Sequence, residues 1–203
     1  MRQIALPLPL PNESAPRIVV GNANAAAVDA MADASRWPFR TAVLSGQPRC
    51  GKTLLGRWFQ QSGAGDVLDD ADRIDETSVF HAWNRAQESG RPLLVIRDAM
   101  PGAFQITLPD LRSRLGAALH LEIGAPDDMM MGELIALHAE MRSLPLDEAA
   151  IAYLVPRCER SHLAAEQIVA AIDRLSLERK QPPTLSVWRE ALNEITGAAR
   201  SAT

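Results

Sequence analysis

Gly46-Gln47-Pro48-Arg49-Cys50-Gly51-Lys52-Thr53 decides how this chain is read. It fits the pattern G-x-x-x-x-G-K-[ST] without a gap. An apolar run, Thr41-Ala-Val-Leu-Ser45, comes before it, and Leu54 to Gln61 reads as a helix after it. The chemistry needs that order. Glycines let the backbone turn so that successive N–H groups face phosphate oxygens. The helix beginning near Lys52 adds the positive end of its dipole. In such a loop the lysine reaches the β- and γ-phosphates and the Thr53 hydroxyl ligates Mg²⁺. The expected nucleotide-binding residues are therefore Gly46, Gln47, Pro48, Arg49, Cys50, Gly51, Lys52, Thr53 and Leu54. Cys50 reads as a small side chain that fills the loop rather than as a reactive thiol.

Working outward, Val67-Leu68 is a short apolar run ending in Asp69 and Asp70. Asp69 is the expected organiser of the metal, and Asp70 stands where a base could align an attacking water. Asp66, Asp72, Asp75 and Glu76 lie nearby, so a solvated acidic loop is the plain alternative. Thr77 to Ser89 predicts a helix. Pro92-Leu-Leu-Val-Ile96 predicts a strand buried on both faces, and Leu119-His-Leu-Glu-Ile123 a last strand. Strand and helix in alternation predict a parallel α/β sheet over residues 18–124. The interval from Lys52 to Asp69 holds one helix and a turn, so the sheet is expected to be shortened.

Beyond Gly124 the texture is helical. Met130, Leu134, Leu137 and Met141 recur at helical spacing, as do Ile168, Ile172 and Leu175, and then Trp188, Leu192 and Ile195. Residues 125–203 are expected to form a small all-helical domain. Residues 1–17 carry Pro7, Pro9, Pro11 and Pro16 and are expected to be an extended tail. The 203 residues hold 25 acids against 21 bases, a net charge of −4, and this argues against a DNA-coating protein. Two cysteines make no disulfide framework, no run of about 18 apolar residues spans a membrane, and the Pro-rich start is no secretory leader. A cytoplasmic protein is expected.

The order of these features resembles the AAA+ nucleotide-binding module of the bacterial initiator DnaA. It is more closely similar to the DnaA-related regulatory proteins of the Hda family, above all their short alphaproteobacterial forms. The likeness covers nearly the whole chain. Ile18-Val-Val-Gly-Asn-Ala-Asn24 looks like the segment bordering the adenine pocket, which brings Val20 into the nucleotide site. Gly46–Thr53 looks like Walker A and Leu68-Asp69-Asp70 like Walker B. Leu93-Leu-Val-Ile-Arg-Asp98-Ala-Met-Pro101 looks like the sensor I strand, with Asp98 on its acid. Leu108-Pro-Asp-Leu-Arg-Ser-Arg114-Leu115 is the most family-specific phrase, and it puts Arg114 at the finger presented to a neighbouring subunit's nucleotide. Residues 125–196 match the helical lid. Gln3-Ile-Ala-Leu6-Pro-Leu8 looks like the family's peptide for the DNA polymerase sliding clamp (beta subunit), with Gln3, Leu6 and Leu8 as anchors in a hydrophobic groove.

The resemblance implies an α/β P-loop AAA+ sheet followed by a lid, ADP or ATP with Mg²⁺ as cofactor, and DnaA and the clamp as partners, near the replisome or nucleoid. It also leaves room for a homodimer. The implied function is an adaptor that promotes hydrolysis of DnaA-bound ATP and so restrains replication initiation. Three departures stand out. The stretch between the two Walker motifs is short. Ile96 or Arg97 replaces the usual hydroxyl of sensor I. Leu163 or Ala164 stands where the sensor II arginine would be. No helix-turn-helix follows the lid region, so direct sequence-specific DNA binding is not expected. Arg112 and Arg114 also read simply as solvated helix residues. A self-sufficient small ATPase or kinase and a degenerate interaction module are the competing functions.

Overall fold

The computed structural model describes residues 2–5, 17–99 and 106–201, with side chains over 17–99 and 106–197. Two compact units divide the chain, Met1–Gly124 and Ala125–Thr203.

The first unit is built on a four-stranded parallel sheet. Its strands are β3 (Thr41–Gly46), β4 (Asp66–Leu68), β5 (Leu93–Asp98) and β6 (Leu119–Ile123), in the spatial order β4-β5-β3-β6. Strand β3 is therefore paired on both sides, Ala42 lying opposite Leu94 and Leu119. Alternation along the strands divides the core into two layers. Ala42, Leu44, Leu94, Ile96, Leu121 and Ile123 face α1 (Ala25–Ala32) and α2 (Lys52–Gln61), where Met31, Leu55 and Phe59 are buried. Val43, Leu93 and Val95 face α3 (Glu76–Ser89) and α4 (Pro109–Gly116), where Val79, Ala82, Leu111 and Leu115 are buried. Glycine at position 56 lets α2 lie close on the sheet. A Cβ there would stand 2.6 Å from Ile96 Cδ1 and 3.2 Å from Val67 Cγ1.

A second, two-stranded sheet pairs β1 (Arg2–Ala5) antiparallel with β2 (Arg17–Val20). Within the segment 1–17, expected to be extended, residues 2–5 are thus a paired strand. The prolines begin only at Pro7, so residues 2–5 keep their N–H groups, and the edge of β2 offers them partners.

The second unit consists of α5 (Asp128–Met141), α6 (Glu148–Leu154), α7 (His162–Arg179) and α8 (Leu185–Ser201). Asp127, Asp147 and Ser161 cap the first three, their side chains accepting from the N–H groups of Met130, Ala150 and Ala164. Ile168, Ile172 and Leu175 are buried as the spacing requires. The other two stripes are displaced. Met141 is exposed at the end of α5, while Met131 and Ile135 join Met130 and Leu134 inside; in α8 the buried positions are Val187 and Ala191, with Trp188 half-buried on the flank. No helix among the described residues is long and apolar enough to cross a membrane.

His162 opens α7 half-buried, and desolvation, with the charge of His138 added, pushes its imidazole down to about 4. The folded state thus keeps this ring neutral where an unfolded chain, with a histidine near 6.5, already takes a proton. Stability is present above about 6.5 and is lost as pH falls toward 4, by about 2 kcal/mol at pH 5. Urea unfolding at pH 7 and pH 5 checks this, and His162→Gln is expected to flatten the difference.

Candidate nucleotide site

The loop Gly46–Thr53 joins the end of β3 to the start of α2. Arg49 and Gly51 both take positive φ, 63° and 93°, which folds the loop back over itself. Cys50 is buried inside the turn. A Cβ on Gly46 would lie 2.6 Å from its Sγ, so the absence of a side chain at 46 makes room for the thiol. Burial raises the Cys50 pKa despite the nearby Lys52, which keeps the sulfur protonated.

Lys52 is 8% exposed, and its ammonium is fully engaged. Nζ donates to Gly46 O at 2.9 Å and to Gln47 O at 2.8 Å, and it pairs with Asp98 Oδ1 at 2.9 Å. The sheet register explains the pairing, because Asp98 is the Cα partner of Gly46. The Ala99 N–H, donating to Gly46 O at 3.0 Å, continues the ladder past the loop.

The N-terminus of α2, like those of α1 and α4, has no side-chain cap. Side chains of Asp75, Asp127, Asp147 and Ser161 cap α3, α5, α6 and α7, whereas Gly51 begins α2 with no side-chain cap. The first-turn N–H groups of a helix have no partner within it. Thr53 is exposed on that turn and Leu54 is half-buried behind it. Backbone donors, an ammonium and an exposed hydroxyl make a set that fits a phosphate with its magnesium. Among the described residues no group of three His, Cys, Asp or Glu could hold a metal ion without help from a ligand.

The expected carboxylates are placed unequally. Leu68 aligns with Val95, and Val95 with Val43, so Asp69 follows β4 at the level of Leu44, one strand removed from β3. Asp98 lies roughly two residues, or ~6.6 Å of strand, farther toward the loop. It is Asp98, not Asp69, that meets Lys52. Asp69 accepts from the N–H of Asp70 at 2.9 Å, and Asp70 sits exposed with φ 51°. Asp72, unassigned from the sequence, accepts from the N–H of Asp98 at 3.4 Å. Val20 is buried, and Asn24 ties the surrounding turn by accepting from the Gly21 N–H and donating to Val19 O. Gln3 lies on β1; Leu6 and Leu8 lie outside the described residues.

Arg114 does not stand free on a rim. Its side chain is 26% exposed, and Nε and Nη2 pair with both oxygens of Asp110 at 3.0 and 2.8 Å. Nη1 donates to Asn84 Oδ1 at 2.6 Å, and the guanidinium lies over the rings of Trp83 and Phe80, 4.2 and 4.5 Å from their centroids. Trp83 and Asn84 follow Phe80 by three and four residues and so share one face of α3 with it. Arg112 is exposed and donates to Ile106 O. Glu76, on the first turn of α3, accepts from the N–H groups of Thr107 and Leu108 ahead of α4. Those bonds hold its carboxyl below the usual range.

Removing the Asp98 carboxylate would leave a buried ammonium without its counter-charge. Asp98→Ala is expected to destabilise the chain by about 2 kcal/mol, less than for a wholly buried pair because Asp98 keeps some solvent. Chemical unfolding of the two proteins checks it.

No family model matches the chain. An uncharacterized protein of Haemophilus influenzae is 28% identical over 119 residues, 58% of this chain and 52% of that protein. The chain thus spans about half the length of the curated relative it matches. Solved structures are similar over more of it. Domain III of the Thermotoga maritima replication initiation protein DnaA gives a TM-score of 0.70 at 16% identity, over 87% of this chain and 94% of that one. AMPPCP-bound DnaA from Aquifex aeolicus gives 0.61 at 18%, over 80% and 66%. The Thermotoga maritima RuvB Holliday junction branch migration motor gives 0.64 at 18%, over 87% and 70%. With its parallel sheet, P-loop and helical second unit, the chain has the AAA+ fold in the form shared by DnaA domain III and RuvB.

Proposed function

We propose that this chain is an adenine-nucleotide-binding AAA+ adaptor that acts on a neighbouring ATPase, DnaA, while tethered by its N-terminal peptide to the sliding clamp. The observation that carries the nucleotide part is the uncapped start of α2 with Lys52 gathered beside it. The amides of Gly51, Lys52 and Thr53 would hold the phosphates of ADP or ATP, Lys52 exchanging the Asp98 carboxylate for a phosphate oxygen. The Thr53 hydroxyl and Asp69 are the groups available to Mg²⁺. Asp70 and Asp98 are the carboxylates on hand to orient water. Bound nucleotide would supply a phosphate anchor for the loop.

The trans-acting part rests on the resemblance of Leu108–Leu115 to the finger motif and on the DnaA-type fold. A guanidinium offered to another subunit's nucleotide stabilises charge on the transferring phosphoryl group, worth roughly 10³–10⁵ in rate. Here Asp110 and Asn84 must loosen their hold on Arg114 for that to happen, so a partner surface has to compete with them. Tethering through Gln3, Leu6 and Leu8 raises the local concentration of the partner and lets a weak contact suffice. In the lid, Arg160 is engaged by Asp128, and the start of α7 offers Leu163 and Ala164, which agrees with weak turnover by the chain alone.

The competing reading is a degenerate module, favoured by one fact: Asp98 already neutralises Lys52. Thermal-shift titration separates the two. Saturation at 100 times Kd is expected to add about 2.7 kcal/mol with ADP or ATP, and no shift supports the degenerate module. The adaptor reading is tested by DnaA ATP hydrolysis with clamp loaded on DNA. Wild type is expected to accelerate hydrolysis and Arg114→Ala, checked for folding by circular dichroism, to lose that acceleration by about two orders of magnitude or more. Equal stimulation by both would remove Arg114 from the role.

A further inference from the structure

We infer that the β1–β2 pairing is an intramolecular competitor for the N-terminal peptide: the ladder that holds Arg2–Ala5 on the chain's own β2 must open before a partner groove takes the same residues. This rests on the clamp-binding reading of Gln3, Leu6 and Leu8.

The register is explicit. Arg2 lies opposite Val20, Gln3 opposite Val19, Ile4 opposite Ile18 and Ala5 opposite Arg17. The two strands are unequally held. Strand β2 belongs to the body of the unit, with Ile18, Val19 and Val20 buried. The carbonyl of Val19 accepts from Asn24 Nδ2 at 2.9 Å, and Asn24 Oδ1 accepts from the Gly21 N–H at 3.0 Å. Strand β1 adds four residues to a sheet of two strands, which is marginal by itself in water. Residues 6–16 must be closed to form the pair, where stable hairpins commonly use two-residue turns. Closure entropy grows with the number of residues between paired strands.

A groove that recognises an extended peptide engages its backbone and alternate side chains together. The β1 backbone groups bonded to β2 are unavailable to it, so docking draws only on the open fraction. A ladder closed nine-tenths of the time weakens apparent affinity about tenfold. When β1 leaves, β2 keeps its place through Asn24 and its buried face, and the open form remains folded. The pairing ends at Val20, beside the turn that Asn24 closes, so occupancy of the β2 edge and the turn next to the P-loop domain's first helix are adjacent in the chain.

The test uses the full chain, a synthetic peptide of residues 1–10, and purified sliding clamp. In Ala5→Cys/Arg17→Cys a disulfide locks the last rung, since opposite Cα atoms in an antiparallel ladder lie about 4.5–5.5 Å apart, within disulfide reach. Gln3, Leu6 and Leu8 stay intact. The peptide is expected to bind the clamp several-fold more tightly than the full chain. The oxidised double variant is expected to bind at least tenfold more weakly than the same protein after reduction, with Arg17→Cys alone insensitive to redox state. A disulfide that does not form by mass spectrometry, or equal affinity of locked and reduced protein, overturns the inference while a binding peptide leaves the clamp reading standing. A peptide that does not bind overturns both.

Discussion

A buried ammonium has to be answered by carbonyls or a carboxylate, and Lys52 is answered by two carbonyls and a carboxylate at once. That requirement organises the loop end of the first unit. Strand β5 must run long enough to deliver Asp98 opposite Gly46, and Asp72 helps fix the backbone there. Gly46 must lack a side chain so that Cys50 can fill the turn. The result is a loop whose interior is packed and whose outer donors, at the start of α2, are left open. Stability and ligand readiness thus come from the same residues. The charge that a phosphate would require is already present, held in place by the Asp98 carboxylate.

The opposite layer of the sheet shows how a positive group can be committed elsewhere. Arg114 joins α4 to α3 through Asp110, Asn84 and two aromatic faces, and Glu76 joins the same helices ahead of α4. These ties hold the Leu108–Leu115 segment against α3. A guanidinium with a bidentate carboxylate beside it carries little net charge toward solvent. Any use of Arg114 by a neighbour is therefore conditional on that neighbour's surface. The N-terminus follows the same logic on a smaller scale, because a segment read as a docking peptide is partly occupied by the chain's own β2. Conditional availability is common to all three sites.

Much of this was legible in local sequence. The glycine-lysine pattern marked the β3–loop–α2 unit, the apolar run Leu93–Ile96 marked a strand buried on both faces, and the short interval from Lys52 to Asp69 announced a sheet with few strands. What escaped is non-local. Asp69 and Asp98 both follow apolar strands, and only the lateral order β4-β5-β3 makes Asp98 the neighbour of the loop. Phe80 and Trp83 meet the Arg114 guanidinium only because α3 and α4 are brought side by side. In α8 the apolar spacing of Trp188, Leu192 and Ile195 is real, but the neighbouring helices select Val187 and Ala191 for burial.

The sequence alone therefore determined the chemistry on offer: a glycine-lysine turn of the P-loop pattern, acidic strand ends, an arginine in a recognisable phrase, a Gln-aliphatic peptide at the start of a proline-rich stretch. Those are properties of residues within a few positions of one another, where turn geometry and periodicity act. Only the tertiary structure decided which of these groups is satisfied and by whom. Strand order, register and the packing of α3 on α4 join residues 26 to 46 positions apart, and no local rule specifies which donor will meet which acceptor across that separation.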